Sequence, residues 1–185
     1  TYFFITYTDK EFSMSLSPKI ACLITAIAAT TLPNLAAANV FPEGYFQLTT
    51  QFREGNNECL VVKAEGQSVS MDSCKNVPVQ LWKATPDGKG YFKLTTQSHE
   101  YYKQCLESGV RKKIGSYMHA CKNQQGQFWK VTPAGNGYFK LTSLFREGKN
   151  ECLEGNQKAG SNGGVTFMDS CQNVSGQLWK VKPKK

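Results

Sequence analysis

The sequence contains one motif-rich unit three times. Gly-Tyr-Phe-x-Leu-Thr begins at Gly44, Gly90 and Gly137, so the copies are spaced 46 residues apart (44 to 90) and then 47 (90 to 137). Each copy continues with Cys-Leu, a Met three residues before a second Cys, and Gln-x-Trp-Lys. These landmarks start at Cys59, Met71 and Gln80 in repeat 1, at Cys105, Met118 and Gln127 in repeat 2, and at Cys152, Met168 and Gln177 in repeat 3. Recurrence at a fixed spacing indicates structural units that pack on one another.

Short apolar runs between turn-forming residues predict β-strands in every repeat. The runs centre on Tyr-Phe-x-Leu, Cys-Leu, x-Met and Gln-x-Trp, which gives about four strands per repeat and about twelve in all. A repeat of fewer than about 50 residues cannot bury its own apolar side chains, so the repeats 44–89, 90–136 and 137–185 must share a core. Closure about a pseudo-threefold axis would leave few strand edges exposed. We therefore predict an all-β fold of three repeats about such an axis.

Residues 14–38 have the order of a secretory signal peptide. Lys19 precedes an apolar stretch over 20–32, and a run of three alanines ending at Ala38 offers a small-residue cleavage site. The alternative is a buried N-terminal helix, but a stretch this short that is followed by Pro33 favours export. We expect a secreted protein, extracellular or periplasmic, after cleavage near Ala38. The predicted organisation is 1–13 upstream of a start at Met14, 14–38 as the signal peptide, and 39–185 as the mature domain.

The cysteines indicate disulfide bonds. Of the seven cysteines, Cys22 lies in the signal segment, which leaves six, two in each repeat. An even number in an exported protein indicates oxidised pairs, and the repeat symmetry selects one pairing among the possible connectivities. The predicted bridges are Cys59–Cys74, Cys105–Cys121 and Cys152–Cys171. A zinc site is the alternative, but no close ligand spacing is present and no histidine accompanies each pair. We predict no metal and no cofactor.

The charge balance limits the partners. Among 185 residues, 22 are Lys or Arg and 14 are Asp or Glu, which gives a net charge of +8. A basic exported protein could attract anionic glycans or lipid headgroups, and Arg111-Lys112-Lys113 is the one dense cluster. Nucleic acid is not an expected partner, because no recognition motif occurs. No apolar run reaches the roughly 18 residues of a membrane-spanning helix, so no transmembrane segment is predicted.

The three Gln-x-Trp motifs, each preceded by a cysteine pair within its repeat, resemble those of the ricin B-type β-trefoil lectins. The resemblance covers about residues 44–185. It implies a β-trefoil, which is a six-stranded barrel capped by three hairpins, in a secreted setting. It also implies up to three shallow sugar sites, one per repeat.

The galactose site of this family combines an Asp, an aromatic ring and an Asn. Such groups bind sugar hydroxyls and cover the apolar face of the pyranose. Here the Asp position holds Val61, Glu107 and Glu154, the aromatic position holds Asp72, His119 and Asp169, and the Asn position holds Val79, Gly126 and Gly176. No repeat has the full set, so the resemblance implies a sugar site of altered chemistry.

Polar and aromatic residues still recur where a variant site could form. The candidates are Glu154, Asn156, Phe167, Asp169, Asn173 and Gln177 in repeat 3, Glu107, Tyr117, His119, Asn123 and Gln127 in repeat 2, and Asp72 and Asn76 in repeat 1. Repeat 1 ranks lowest, because Val61 and Ser70 replace its polar and aromatic partners. Two alternatives stay open: the three Asn side chains shape turns, and the Gln side chains hydrogen-bond structurally beside a buried Trp.

A second motif, Phe-Arg-Glu-Gly, begins at Phe52 and Phe145 and is absent from repeat 2. We interpret it as a turn that exposes a solvated Arg and Glu pair, which contributes little energy. Repeat 2 instead has Tyr101-Tyr102 near this point, which makes it a candidate specialised face.

Two functions compete. The first is a secreted, non-enzymatic carbohydrate-binding module whose weak sites act together. The alternative is a protein-interaction or toxin-accessory β-trefoil that has lost sugar binding. An enzyme is not expected, because no nucleophile has a neighbouring base, no paired-carboxylate motif occurs, and the two histidines, His99 and His119, lie in one segment.

Overall fold

The structure, a computed structural model, describes residues 40–63, 67–110, 115–155 and 165–183. The predicted signal peptide, the segment before it and the Arg111-Lys112-Lys113 cluster lie outside the described residues. Within the described part, no helix is long and apolar enough to cross a bilayer.

Twelve strands lie in the described residues, four in each repeat, as the alternating pattern predicts. In Phe92–Thr96, for example, Phe92 and Leu94 are buried and Lys93 between them is half-buried. The strands are β1 (Gln47–Thr50), β2 (Glu58–Val62), β3 (Val69–Ser73), β4 (Trp82–Pro86), β5 (Phe92–Thr96), β6 (Gln104–Glu107), β7 (Tyr117–Ala120), β8 (Trp129–Gly135), β9 (Tyr138–Ser143), β10 (Glu151–Glu154), β11 (Phe167–Ser170) and β12 (Trp179–Lys182).

Short helical turns, which the sequence pattern does not predict, join the first two strands of each repeat. They are α1 (Gln51–Glu54), α2 (Gln97–Glu100) and α3 (Leu144–Glu147), and a further 3-10 turn covers Gln125–Gln127. Four residues form one helical turn, which is too short to produce a helical hydrophobic period.

Six strands form one antiparallel sheet in the order β1-β12-β9-β8-β5-β4. Phe46, next to β1, exchanges backbone hydrogen bonds of 2.8 and 2.7 Å with Trp82 of β4. These bonds join the first and last strands of that order. The other six strands form three hairpins, β2–β3, β6–β7 and β10–β11.

The three hairpins meet in a ring of backbone hydrogen bonds. Val69 N donates to Ser116 O (3.0 Å), Ser116 N donates to Thr166 O (2.8 Å), and Thr166 N donates to Val69 O (3.1 Å). All three residues are fully buried. Because each repeat donates once and accepts once, the ring has the threefold symmetry that the sequence predicts.

The tryptophans of the Gln-x-Trp motifs anchor the shared core. Trp82, Trp129 and Trp179 are each 0% exposed. Each indole N–H donates to the carbonyl of the Leu that follows the first cysteine of its own repeat: Leu60 (2.8 Å), Leu106 (2.9 Å) and Leu153 (2.8 Å). A buried indole therefore keeps a hydrogen-bond partner in every repeat.

Phe41, which precedes the first repeat, packs against all three repeats. Its ring centroid lies 5.1 Å from those of Phe46 and Phe92 and 5.5 Å from that of Phe139. These three rings come from the Gly-Tyr-Phe motif of each repeat. Phe41 therefore marks the symmetry axis within the six-stranded sheet.

The three predicted disulfides are present, one in each repeat. They join Cys59 to Cys74, Cys105 to Cys121, and Cys152 to Cys171. Each bridge crosses its own hairpin. In the chain-entropy model, closing each loop raises the free energy of unfolding by roughly 3 kcal/mol.

A second ring, on the outside of the molecule, links each repeat to the next. The Tyr of Gly-Tyr-Phe and the Lys of Gln-x-Trp-Lys donate to one Glu of the next repeat, and we call each such group a clasp. The clasps are Tyr45–Glu100–Lys83, Tyr91–Glu147–Lys130 and Tyr138–Glu54–Lys180. The third clasp returns from repeat 3 to repeat 1, so the ring closes.

The interpretation of Phe-Arg-Glu-Gly as a solvated pair is wrong. Arg53 and Arg146 are 6% and 2% exposed. Arg53 binds Glu58 at 2.7 Å and donates to Gly155 O at 3.1 Å. Arg146 binds Glu151 at 2.8 Å and the carbonyl oxygen of Gly109. Each guanidinium thus reaches the backbone of another repeat, and the Glu after each Arg belongs to a clasp.

Lys103 adopts a conformation that suits Asn better. Asn57, Lys103 and Asn150 occupy equivalent turns with φ of 52°, 51° and 50°. Asn tolerates this left-handed region better than Lys does. We expect Lys103→Asn to raise the free energy of unfolding by up to about 1 kcal/mol, measured by urea denaturation. The reverse change, Asn150→Lys, is the matched control and should lower it, so a stabilising Asn150→Lys would contradict the argument.

The clasps make stability depend on pH. Hydrogen bonds from Tyr138, Lys83 and Lys130 are the largest factors that lower the pKa values of Glu54, Glu100 and Glu147 below the usual value. The folded state therefore binds fewer protons than the unfolded state in acid. The contribution is complete above the usual pKa of 4.5 and is lost as pH falls through the lower, folded values.

We expect the triple variant Glu54→Gln, Glu100→Gln, Glu147→Gln to be less stable at pH 7 and to lose less stability between pH 5 and about pH 3. Thermal unfolding at pH 7, and from pH 5 down to about pH 3, measures both effects. Glu43→Gln changes an exposed carboxyl outside the clasps and should retain the wild-type acid slope. An unchanged slope in the triple variant would show that the clasps do not contribute to it.

Candidate functional site

Seven of the predicted site residues lie on the strands of the three hairpins, in equivalent registers. In repeat 2, Glu107 is paired with Tyr117 and Cys105 with His119. In repeat 3, Glu154 is paired with Phe167 and Cys152 with Asp169. In repeat 1, the corresponding pairs are Val61 with Ser70 and Cys59 with Asp72. One backbone frame therefore presents three different sets of side chains.

Repeat 2 gathers four of its five candidates around one carboxylate. Buried Glu107 accepts hydrogen bonds from Tyr117 Oη (3.2 Å) and Gln127 Nε2 (2.8 Å), and it contacts His119 Nδ1 at 3.0 Å. The Tyr117 and His119 rings lie 6.1 Å apart between centroids. Burial, followed by the charge of Glu107, raises the pKa of Tyr117, so this hydroxyl stays protonated as a donor. The cluster combines an oriented carboxylate with two partly exposed rings.

Repeat 3 has a carboxylate at the same position, with fewer partners among the residues that the structure describes. Glu154 is buried and accepts from Gln177 Nε2 at 2.9 Å. Phe167 replaces the tyrosine and offers a ring without a hydroxyl, and Asp169 replaces the histidine. Asp169 Oδ1 accepts from the backbone N–H of Ser170 at 2.8 Å. More of the acceptor capacity of Glu154 therefore stays available to a ligand. Asn156 lies outside the described residues.

Repeat 1 has no carboxylate at the Glu107 position. Val61 is buried there, and Ser70 Oγ has no hydrogen-bond partner among the described residues. Asp72 forms a salt bridge with Lys63 at 2.5 Å. This contact is the largest factor that lowers the pKa of Asp72. Repeat 1 therefore presents an exposed ion pair in place of the carboxylate cluster.

The glutamines of Gln-x-Trp have the predicted structural role and a second one. Each side chain accepts from a backbone N–H just after the second cysteine and donates to a carbonyl just before it. In repeats 2 and 3, Gln127 and Gln177 also donate to Glu107 and Glu154. The same amide therefore fixes the turn and orients the carboxylate. Gln80 in repeat 1 lies instead beside Gln47, at 3.4 Å.

The three asparagines after the second cysteine are exposed, and Asn123 lies apart from the Glu107 cluster. Asn76 and Asn173 occupy the equivalent turns. Asn123 Oδ1 accepts from Lys93 Nζ at 3.2 Å, and this ammonium lies 4.9 Å from the centroid of the Phe128 ring. The structure therefore separates Asn123 from the residues with which the sequence groups it.

Asn123, Lys93 and Phe128 line a cavity of about 580 Å³ that sequence reasoning missed. Asp87 also lines it. The available signal was Phe128 itself, since the middle residue of Gln-x-Trp is Leu81 in repeat 1 and Leu178 in repeat 3. An aromatic ring beside polar groups suits a sugar, so repeat 2 offers a second candidate surface.

No group of three or more His, Cys, Asp or Glu residues that could hold a metal ion occurs in the described part of the chain.

The sequence matches the family model of the ricin-type beta-trefoil lectin domain over residues 48–179. The chain belongs to this family. Curated proteins contain no match to the sequence at a significant level.

Solved structures confirm the β-trefoil fold of this ricin-type lectin domain. The designed threefold-symmetric protein ThreeFoil is 20% identical with a TM-score of 0.63, over 75% of this chain and 98% of that one. A mosquitocidal holotoxin is 15% identical with a TM-score of 0.63, over 76% of this chain and 16% of that one. A Polyporus squamosus lectin bound to the epitope Neu5Aca2-6Galb1-4GlcNAc is 12% identical with a TM-score of 0.61, over 76% and 49%. The chain thus spans less than two thirds of the last two proteins.

The two carboxylates should differ in what they contribute to stability. Among the described residues, Glu107 has three side-chain partners and Glu154 has one. We expect Glu107→Ala to lower the free energy of unfolding by about 1–3 kcal/mol, and Glu154→Ala to lower it by less. Urea denaturation at pH 7 measures both, with Glu43→Ala as the exposed control. Equal losses at the two sites would contradict the difference in partners.

Proposed function

We propose that this ricin-type lectin domain is a secreted, non-enzymatic binding module that holds glycans at weak sites on repeats 2 and 3. The observation that carries the proposal is the recurrence of one arrangement: a buried carboxylate, fixed by the Gln of Gln-x-Trp, next to an aromatic ring. Glu107 has this arrangement with Tyr117, and Glu154 has it with Phe167.

The chemistry of this arrangement suits a sugar. A carboxylate accepts hydrogen bonds from two neighbouring hydroxyls, while an aromatic ring covers apolar C–H groups. Because the glutamine holds the carboxylate in place, little conformational freedom is lost when a ligand binds. Two such sites on one rigid domain would combine into useful avidity on a glycan-covered surface.

Secretion is supported by the signal-peptide pattern over 14–38 and by the disulfides. Three bridges in a domain of this size are typical of proteins that work in oxidising compartments. A net charge of +8 would favour glycans that carry anionic groups.

The first test is a glycan array probed with the oxidised protein. We expect binding to neutral glycans that resists high salt, because hydrogen bonds and ring contacts carry it. Array binding should fall at least about tenfold in Glu154→Gln/Asp169→Asn and in Glu107→Gln/His119→Gln, since each removes charge-assisted hydrogen bonds. Asp72→Asn is the matched control, because Asp72 holds the same register in repeat 1 but faces no carboxylate.

Two outcomes would contradict the proposal. Binding that Asp72→Asn lowers as much as the double variants do would place the ligand elsewhere. Binding restricted to sulfated glycans and abolished by salt would point to the basic surface alone, without the carboxylate sites.

A protein-interaction or toxin-accessory role is the second candidate, and the exposed tyrosines of repeat 2 favour it. Tyr101 and Tyr102 are 86% and 68% exposed, and their rings meet edge to face at 5.2 Å between centroids. Repeats 1 and 3 have Gly55 and Gly148 at the start of the same turn. Absence of glycan binding, with a protein partner lost on Tyr101→Ser/Tyr102→Ser, would establish this role instead.

A further inference from the structure

A polar pocket lies on the outer face of the β8–β9 hairpin, in repeats 2 and 3. Lys130 is paired with Thr142 and Thr132 with Lys140 across the two strands. Val131, which lies between Lys130 and Thr132 on β8, is buried. Because side chains alternate along a strand, these four polar side chains share the outward face.

The disulfide of repeat 3 borders this pocket. Thr142 Oγ1 lies 3.4 Å from Cys152 Sγ and 3.8 Å from Cys171 Sγ. The pocket has a volume of about 270 Å³, slightly below the range of about 300–1,000 Å³ that is common for ligand sites. It is lined by Lys130, Thr132, Lys140, Thr142, Glu147, Asn150, Cys152 and Cys171. A pocket of this size suits one substituent or one sugar ring.

The pocket has an unbalanced positive charge. Lys130 binds Glu147, which also accepts from Tyr91. Lys140 has no hydrogen bond or ion pair to any described residue, and the same is true of the side chains of Thr132 and Asn150. Three hydrogen-bond donors therefore face one pocket without protein acceptors in the described part of the chain.

The residue at the position of Lys140 differs among the repeats. Repeat 1 has Gln47, which is buried and donates to Lys75 O at 2.8 Å. Repeat 2 has Lys93, which contacts Asn123 and the Phe128 ring. Repeat 3 alone places an ammonium there that the described residues leave unpaired.

The pocket and the predicted sugar site share the β10–β11 hairpin. Cys152, beside the pocket, lies two residues before Glu154 on the same strand, which is about 7 Å along it. Side chains two residues apart point to the same face, so the two surfaces adjoin. One oligosaccharide could reach both.

We propose that repeat 3 binds an anionic oligosaccharide, with one sugar ring at Glu154 and Phe167 and a sulfate or carboxylate group of the adjoining sugar in this pocket. Lys140, Thr132 and Asn150 donate hydrogen bonds to the oxygens of that group. The binding of the sugar ring, which we call the sugar half, rests on the proposed function of repeat 3. The binding of the acidic group, which we call the anion half, rests on the pocket alone.

The test uses the oxidised full chain and isothermal titration calorimetry at constant ionic strength. The ligands are an N-acetyllactosamine tetrasaccharide and its sulfated and sialylated forms, which separate sulfate from carboxylate. We expect at least one acidic form to bind about tenfold more tightly than the neutral form, as a charge-assisted hydrogen bond would provide. Lys140→Gln should remove this difference.

Lys122→Gln is the matched control, because it removes the same charge from an exposed site outside the pocket. It should retain the preference. Equal losses in Lys140→Gln and Lys122→Gln would overturn the proposal in favour of diffuse charge attraction, and equal binding of all three tetrasaccharides would overturn it while leaving the proposed function intact.

A titration with sodium sulfate against sodium chloride, followed by amide NMR shifts, tests the anion half separately. We expect shifts at Asn150 and Cys152 that Lys140→Gln abolishes. Such shifts without binding of any tetrasaccharide would assign the failure to the proposed sugar site. Absence of the shifts would overturn the pocket itself.

Discussion

No repeat can complete its own core, and the structure depends on this constraint. Each Trp is buried within its repeat, but the repeats are joined by two closed rings: backbone hydrogen bonds through Val69, Ser116 and Thr166, and the outer clasps. A closed ring has no terminal repeat with an uncovered face, which an open stack would have. Phe41 supplies a further contact to all three repeats. Burial of apolar area is the main favourable contribution to the free energy of folding. The two rings determine how each repeat is placed against its neighbours.

The shared frame leaves the hairpin ends and outer faces free to diverge. The disulfide, the Trp and the turn-forming Gln are the same in each repeat, so they hold equivalent positions in register. Within that frame, one position holds Val61, Glu107 or Glu154, and its neighbour holds Asp72, His119 or Asp169. Gln127 and Gln177 link the shared frame to the variable side chains. In each, a single amide holds the turn after the second cysteine and orients the carboxylate.

Most features within a repeat could be predicted from the sequence, whereas the side-chain contacts between repeats were not predicted. The strands, the three disulfides and the structural role of the Gln follow from periodicity and symmetry within the chain. The burial of Arg53 did not follow, because its partners include Gly155 of another repeat. The clasps did leave a signal, since Glu54, Glu100 and Glu147 have the same spacing as the tyrosines they bind. The Lys140 pocket left none, because its residues are spread over β8, β9, α3 and the disulfide.

The divergence also bears on the kind of ligand that the domain suits. Three identical sites would favour a ligand that repeats one sugar, as multivalent binding predicts. Here the carboxylate of repeat 2 is surrounded by Tyr117 and His119, that of repeat 3 lies beside Phe167, and repeat 1 has none. Sites that differ in donors and charge cannot all prefer the same sugar equally. If the proposed sites bind glycans, we expect specificity to come from the combination of groups along one glycan, because each mismatched polar group would leave a buried partner unsatisfied.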